Sequence, residues 1–117
     1  MMDIIGIGAD IEEVQRFKDK PYLDNQLFYK KIFTIEEIEQ CLIKPSPEQS
    51  FAARFAAKEA IIKSSNKRLW FTDIVIGQDQ NRRPVVRINN PQKLNAEVSF
   101  SHTKTHALAM ALVWQLN

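Results

Sequence analysis

Hydrophobic positions along this chain change their spacing several times, and each change marks an element. Residues 4–11 are mostly apolar and partly β-branched, interrupted by Gly6 and Gly8, which predicts a strand whose backbone meets another segment closely. Over residues 12–17 the spacing turns helical, and Lys20-Pro21 ends it, because the residue before a proline is pushed out of the helical region. Thr34-Ile35-Glu36-Glu37 fits a capping box, with Phe33 and Ile38 spaced for a hydrophobic staple, and predicts a helix over about 35–42. Ser46-Pro47-Glu48-Gln49 is a second start signal, with serine at the cap and proline at the first helical position. The helix it opens should run to about residue 64. On a 3.6-residue wheel Phe51, Phe55 and Ile62 form one stripe, and alanines 52, 53, 56, 57 and 60 form a smooth face that lets the helix lie close to a sheet or another subunit. Glu59 and Lys63 fall at the border of these faces, and Arg54 and Lys58 beyond the other edge.

After Asn66 the period becomes that of strands. Residues 71–77 and 84–88 flank a polar loop and read as a hairpin. Residues 96–102 alternate, and the apolar run 107–114 is long enough for a buried strand, with a short helix as the alternative because alanine and leucine dominate part of it. The order predicts an α+β fold in a single domain over residues 1–117: an N-terminal strand, a helical segment with one long alanine-rich helix, then antiparallel strands.

Composition narrows the picture only a little. The hydrophobic share of 44% and charged share of 26% are ordinary for a globular protein, and no apolar run approaches the ~20 residues of a membrane span. The first residues lack the basic start of a secretory signal. Cys41 stands alone, so no intrachain disulfide is expected; a cytoplasmic home and a small core residue are the natural readings. A net charge of +2 gives no argument for nucleic acid, and the aromatics fall on predicted core stripes rather than beside basic residues. Arg16, Lys18, Lys20, Lys30 and Lys31 make one segment locally basic, which reads as a solvated face or as a patch that steers an acidic partner.

Three blocks carry candidate chemistry: Gly-Ile-Gly-Ala-Asp at 6–10, Ala-Arg-Phe-Ala-Ala-Lys-Glu-Ala-Ile-Ile-Lys at 53–63, and Ser-Phe-Ser-His-Thr at 99–103. Two carboxylates far apart in sequence, Asp10 and Glu59, could share one Mg²⁺, with Lys63 one helical turn beyond Glu59. Taken singly, Asp10 reads as a turn or cap residue, Glu59 and Lys63 as a surface ion pair worth about 0.3–0.5 kcal/mol, and His102 as a structural histidine. The two glycines lack the third of a dinucleotide fingerprint, and His102 with His106 lacks the further ligands of a zinc site.

Together the blocks resemble the holo-acyl-carrier-protein synthase group of 4′-phosphopantetheinyl transferases, in the family's order and spacing and over essentially the whole chain. The resemblance implies transfer of the 4′-phosphopantetheine arm of coenzyme A to a serine of an apo acyl carrier protein, releasing adenosine 3′,5′-bisphosphate. It implies that Asp10 and Glu59 hold Mg²⁺ with the coenzyme A diphosphate, that Lys63 stabilises or protonates the leaving phosphate, and that Glu59 or a water on the metal takes the serine proton. By the same resemblance Arg54, Lys58, Lys63 and His102 lie near the coenzyme phosphates or adenosine, and Arg16, Lys18 and Lys20 on the face receiving the acidic carrier protein. Short members of the family are typically homotrimers with active sites between subunits. Two segments depart from the family pattern: Ser64-Ser65-Asn66-Lys67-Arg68-Leu69-Trp70 replaces a glycine-rich turn after Lys63, and Arg82-Arg83 stands where a glycine commonly precedes Pro84, so Asn81 is expected to take the left-handed backbone position. A non-catalytic protein that binds a carrier protein or coenzyme A on the same fold is the competing reading.

Overall fold

The computed structural model describes residues 1–89 and 93–116. Strand β1 (Met2–Glu13) leads into a one-turn helix α1 (Gln15–Lys18), then α2 (Gln26–Ile32), α3 (Ile35–Leu42) and the long α4 (Pro47–Ser64). Strands β2 (Ile74–Gln78), β3 (Pro84–Ile88), β4 (Leu94–His102) and β5 (His106–Leu116) follow. Two antiparallel sheets result, one ordered β1-β5-β4 and the other the β2-β3 hairpin. This is the α+β order that the periodicity predicts, and the run 107–114 is strand rather than helix. No helix among the described residues is long and apolar enough to cross a membrane.

The two N-terminal glycines explain how the sheet meets α4. A Cβ on Gly6 would strike the carbonyl of Ser64, and one on Gly8 the carbonyl of Ala60. Strand β1 therefore lies directly on the backbone of α4, which only glycine permits at those two positions. Alanines 107, 109 and 111 of β5 and 56, 57 and 60 of α4 are buried in the same layer, so small residues on both sides keep it thin. A second core cluster gathers Phe17, Tyr29, Phe33, Phe51 and Phe55 between the helices, with Tyr29 and Phe51 rings 4.7 Å apart.

Several boundaries differ from the sequence reading. Glu12 and Glu13 belong to β1, because they pair with Ala107 and His106, and α1 shrinks to one turn. Helix α2 escaped the periodicity: seven residues give it barely two turns, and it is held by Tyr29 and Ile32 packing into the aromatic cluster. Residues 71–73 form a 3₁₀ turn, so β2 begins at Ile74. The Thr34–Glu37 capping box is present, but Ser46 makes no side-chain cap bond; its carbonyl takes the N–H groups of Gln49 and Ser50 instead. In the β2–β3 turn the left-handed residue is Arg82 (φ 63°), not Asn81. Asp79 sets this, since its carboxylate accepts from the N–H groups of Asn81 and Arg83 while its carbonyl accepts from Arg82.

Candidate active site

Period-two geometry places Gly8, Asp10 and Glu12 on the face of β1 that meets α4. Helix α4 is buried on nearly every side from Phe51 onward, and in its last two turns only Glu59, Ile62 and Lys63 emerge. Asp10 and these residues come together at one edge. Lys63 Nζ lies 2.6 Å from Asp10 Oδ1, and its side chain is half exposed whereas that of Asp10 is 9% exposed. The hydrogen bond to Asp10 raises the Lys63 pKa above the ordinary lysine value. The Glu59 carboxyl is also raised, first by burial and then by the negative charge of Asp10, against the lowering pull of Lys63.

Asp10 Oδ2 is buried and, among the described residues, is the one such side-chain atom without a hydrogen-bond partner. A carboxylate oxygen sealed from water with no donor is costly unless a cation meets it. Sequence reasoning overlooked Glu12, although counting two residues on from Asp10 along a strand would have found it. Burial and the neighbouring Asp10 carboxyl, with its negative charge, together push its pKa up to about 7. Three carboxylates thus repel one another at one spot. Among the described residues no three Asp, Glu, His or Cys side chains form a ready-made metal cage. Any cation here would draw on two carboxylates and fill its remaining positions with substrate phosphate and water, the ligand set that suits Mg²⁺.

Arg16 joins this edge through Glu12, at 3.5 Å. Its guanidinium lies 4.9 Å from the Phe55 ring centroid and 5.9 Å from that of Phe28, and Lys20 Nζ lies 4.7 Å from Phe28. Lys18 is exposed on α1. His102 is exposed at the end of β4, where it pairs with Ala107, the residue that pairs with Glu12 on the other side. It sits two strand spacings from Glu12, about 10 Å.

Arg54 and Lys58 are not part of this edge. Both are buried, Arg54 at 2% and Lys58 at 0% exposed, rather than on an outer border of α4. Lys58 Nζ donates to Glu37 Oε1 (2.6 Å) and to the carbonyls of Ile32 (2.8 Å) and Phe71 (3.0 Å). Arg54 points to Gln40 Oε1 and the Ile76 carbonyl. The physical reason is that α4 is enclosed by the sheet on one flank and by α3 and β2 on the other, so a wheel drawn for a two-faced helix misplaces them. The cavity of about 790 Å³ lined by Phe17, Tyr22, Tyr29, Leu42 and Phe51 lies toward the N-terminal end of α4 and includes none of Asp10, Glu59 and Lys63. Convergent ionised groups, not volume, mark the chemistry here.

The family model of the 4′-phosphopantetheinyl transferase superfamily matches residues 6–113. A holo-[acyl-carrier-protein] synthase of Chlorobaculum parvum is 38% identical over 115 residues, covering 94% of this chain and 98% of that protein. One from Halothermothrix orenii is 34% identical over 93% of this chain and 96% of its own length. Among solved structures, a holo-(acyl-carrier-protein) synthase from Bacillus anthracis in complex with CoA (3′,5′-ADP) superposes with a TM-score of 0.82 at 30% identity, covering 99% of this chain and 100% of that one. The Helicobacter pylori holo-[acyl-carrier-protein] synthase in complex with coenzyme A gives 0.78 at 26% identity over 92% and 98%. Matched over nearly its whole length in sequence and fold, the chain belongs to the 4′-phosphopantetheinyl transferase superfamily, beside its holo-[acyl-carrier-protein] synthase members.

Proposed function

We propose that this enzyme moves the 4′-phosphopantetheine arm of coenzyme A onto a serine of an apo acyl carrier protein in a Mg²⁺-dependent reaction, releasing adenosine 3′,5′-bisphosphate. The observation that carries the site assignment is the buried, partnerless Asp10 Oδ2 beside Glu59 and Lys63. The relatives' named activity and the coenzyme A complexes of the B. anthracis and H. pylori structures support the substrate.

Asp10 and Glu59 would hold the metal, which when bound neutralises the diphosphate and polarises its phosphorus. The serine oxygen forms a bond to the phosphorus bearing the pantetheine, and the phosphoanhydride bond to the adenosine bisphosphate breaks. Glu59 suits the base that takes the serine proton, since its raised pKa makes it a better acceptor than an ordinary carboxylate. Lys63, with its raised pKa, stays an ammonium ion at neutral pH and offsets charge on the leaving phosphate. His102 is the remaining candidate for a coenzyme phosphate contact, and Arg16, Lys18 and Lys20 form the basic face for the acidic carrier protein.

A homotrimer fits one more feature. The outer face of the β1-β5-β4 sheet exposes Ile7 (70%), Ile11 (62%), Leu108 (47%) and Met110 (54%), with Ile11 directly opposite Leu108. Such an apolar patch is the kind that another subunit covers. Cys41 stays a buried free thiol, consistent with a reducing cytoplasm. The test is intact-mass spectrometry of an apo acyl carrier protein incubated with enzyme, coenzyme A and Mg²⁺. A gain of one phosphopantetheine that EDTA abolishes is expected. A folded enzyme that binds coenzyme A and yields no gain on any carrier would overturn the transfer reading.

A further inference from the structure

Glu12 takes no part in the transfer chemistry above. Its side chain is 16% exposed and shares the α4-facing side of β1 with Asp10, about 7 Å along the strand. A carboxylate enclosed near the negative charges of Asp10 and Glu59 is disfavoured by both. Among the described residues the cation within ion-pair distance of it is Arg16, whose side chain is 48% exposed, and an ion pair with so exposed a partner offsets little of that strain. Stability therefore does not explain a charge at this position, but the Arg16 side of the contact does. The chain turns from β1 into α1 at Val14, which is fully buried and whose N–H donates to the Thr105 carbonyl at 2.9 Å. Phe17, on the other flank of Arg16, is buried in the aromatic cluster. The Arg16 backbone is thus pinned from both sides, and its long side chain is what remains to be placed. Three contacts place it: Glu12 Oε1 at 3.5 Å from Nη1, and the ring centroids of Phe55 at 4.9 Å and Phe28 at 5.9 Å.

We propose that Glu12 is a positioning residue for carrier recognition, fixing one edge of the Arg16 guanidinium so that the opposite edge meets a carboxylate of the acyl carrier protein. The inference rests on the carrier-protein reading above. The guanidinium lies over the Phe55 ring, Glu12 meets it at Nη1, and among the described residues it has no further hydrogen-bond or ion-pair partner. Nε and Nη2 are left free on the half-exposed side chain, and they are the two parallel donors with which arginine grips a carboxylate in a fork. A guanidinium already held in place loses less freedom when the carrier arrives than one swinging in water. Glu12 and Asp10 also belong to one strand, paired with β5 from Gly6 to Glu13. The grip on the carrier is therefore in fixed register with the carboxylates that would hold the metal, which is what orienting the serine requires.

Calorimetry tests this with an apo carrier protein whose acceptor serine is changed to alanine, titrated into enzyme loaded with coenzyme A and Mg²⁺. Wild type, Glu12→Gln, Arg16→Ala and the double variant are compared. Glu12→Gln should weaken carrier binding about fivefold and Arg16→Ala at least about tenfold. Because Glu12 acts through Arg16, the double variant should bind as Arg16→Ala does, within about twofold. In steady-state transfer to the unaltered carrier, Glu12→Gln should raise KM for the carrier about fivefold, and more than KM for coenzyme A. Unchanged or tighter carrier binding by folded Glu12→Gln enzyme overturns the proposal. So does an equal rise in both KM values, or a loss repeated in full in the Arg16→Ala background, which would put the effect at the metal edge. A wild-type enzyme that binds no carrier fells the functional reading and the proposal together, whereas wild-type binding that Glu12→Gln leaves intact fells the proposal alone.

Discussion

Replacing Glu37 or Lys58 should unfold this protein's stability from the inside while leaving its substrate affinity alone. Lys58 is fully buried and Glu37 is 1% exposed. The ammonium has three acceptors, and the carboxylate also receives the N–H groups of Thr34 (2.9 Å) and Ile76 (2.8 Å). One pair therefore ties α3, α4, β2 and the turn at Phe71 together. Burial lowers the Lys58 pKa, and the Glu37 charge works against that shift. Removing one partner strands the other as an uncompensated buried charge, which costs about 3–5 kcal/mol. Against a total stability of about 5–15 kcal/mol that is a large fraction. With a urea slope of about 2 kcal/mol per molar, the unfolding midpoint of Glu37→Ala or Lys58→Met should fall by roughly 2 M. The double variant Glu37→Leu/Lys58→Met leaves no buried charge, so it should cost less than the two singles summed, by at least about 2 kcal/mol. Urea unfolding measures all three. A Lys58→Met protein with an unchanged midpoint and a raised KM for coenzyme A would refute the buried network and return Lys58 to the coenzyme, as the family resemblance implied.

Gly8→Ala should destabilise by more than the about 1–3 kcal/mol of ordinary overpacking, because the new methyl meets a backbone carbonyl that cannot turn aside; thermal unfolding reads it. Glu12→Gln should raise the melting temperature of metal-free protein at pH 8 and leave it unchanged at pH 4. The sign follows from the carboxyl's raised pKa of about 7: the folded state holds this proton more tightly than the unfolded chain, so stability present below the ordinary value of 4.5 is lost as pH climbs toward 7. Cys41, buried with its thiol pushed up to about 11, should resist alkylation at pH 8 in the native protein and react fully in urea, as peptide mass would show.

The helices α3 and α4 were legible because their signals are local: the Thr34–Glu37 box acts within one turn, and Pro47 opens a run of strong helix formers. Asp10, Glu59 and Lys63 were legible as candidates because they stand in the motif blocks, and the structure brings them to one edge. Lys63 pairing with Asp10 across 53 positions, rather than with Glu59 four residues away, was not. Nothing in the spacing of Arg54 and Lys58 distinguished a phosphate contact from a buried lock, since that depends on Glu37, Gln40 and Ile76 arriving from other elements. Helix α2 was missed for a similar reason, as its stability comes from aromatic packing rather than from its seven residues.

By itself, then, the sequence determined the α+β order, the capped start of α3 and the proline-led start of α4, the close approach at Gly6 and Gly8, and the family. Each follows from interactions within a few residues or from motif identity. Only the tertiary structure decided that Glu12 joins the carboxylates, that Lys58 and Arg54 lie in the core, that Arg82 rather than Asn81 turns left-handed, and that Trp70 stands exposed beside Arg68. These depend on which side chains meet across long separations in the chain, and burial and electrostatics exist only once those neighbours are in place.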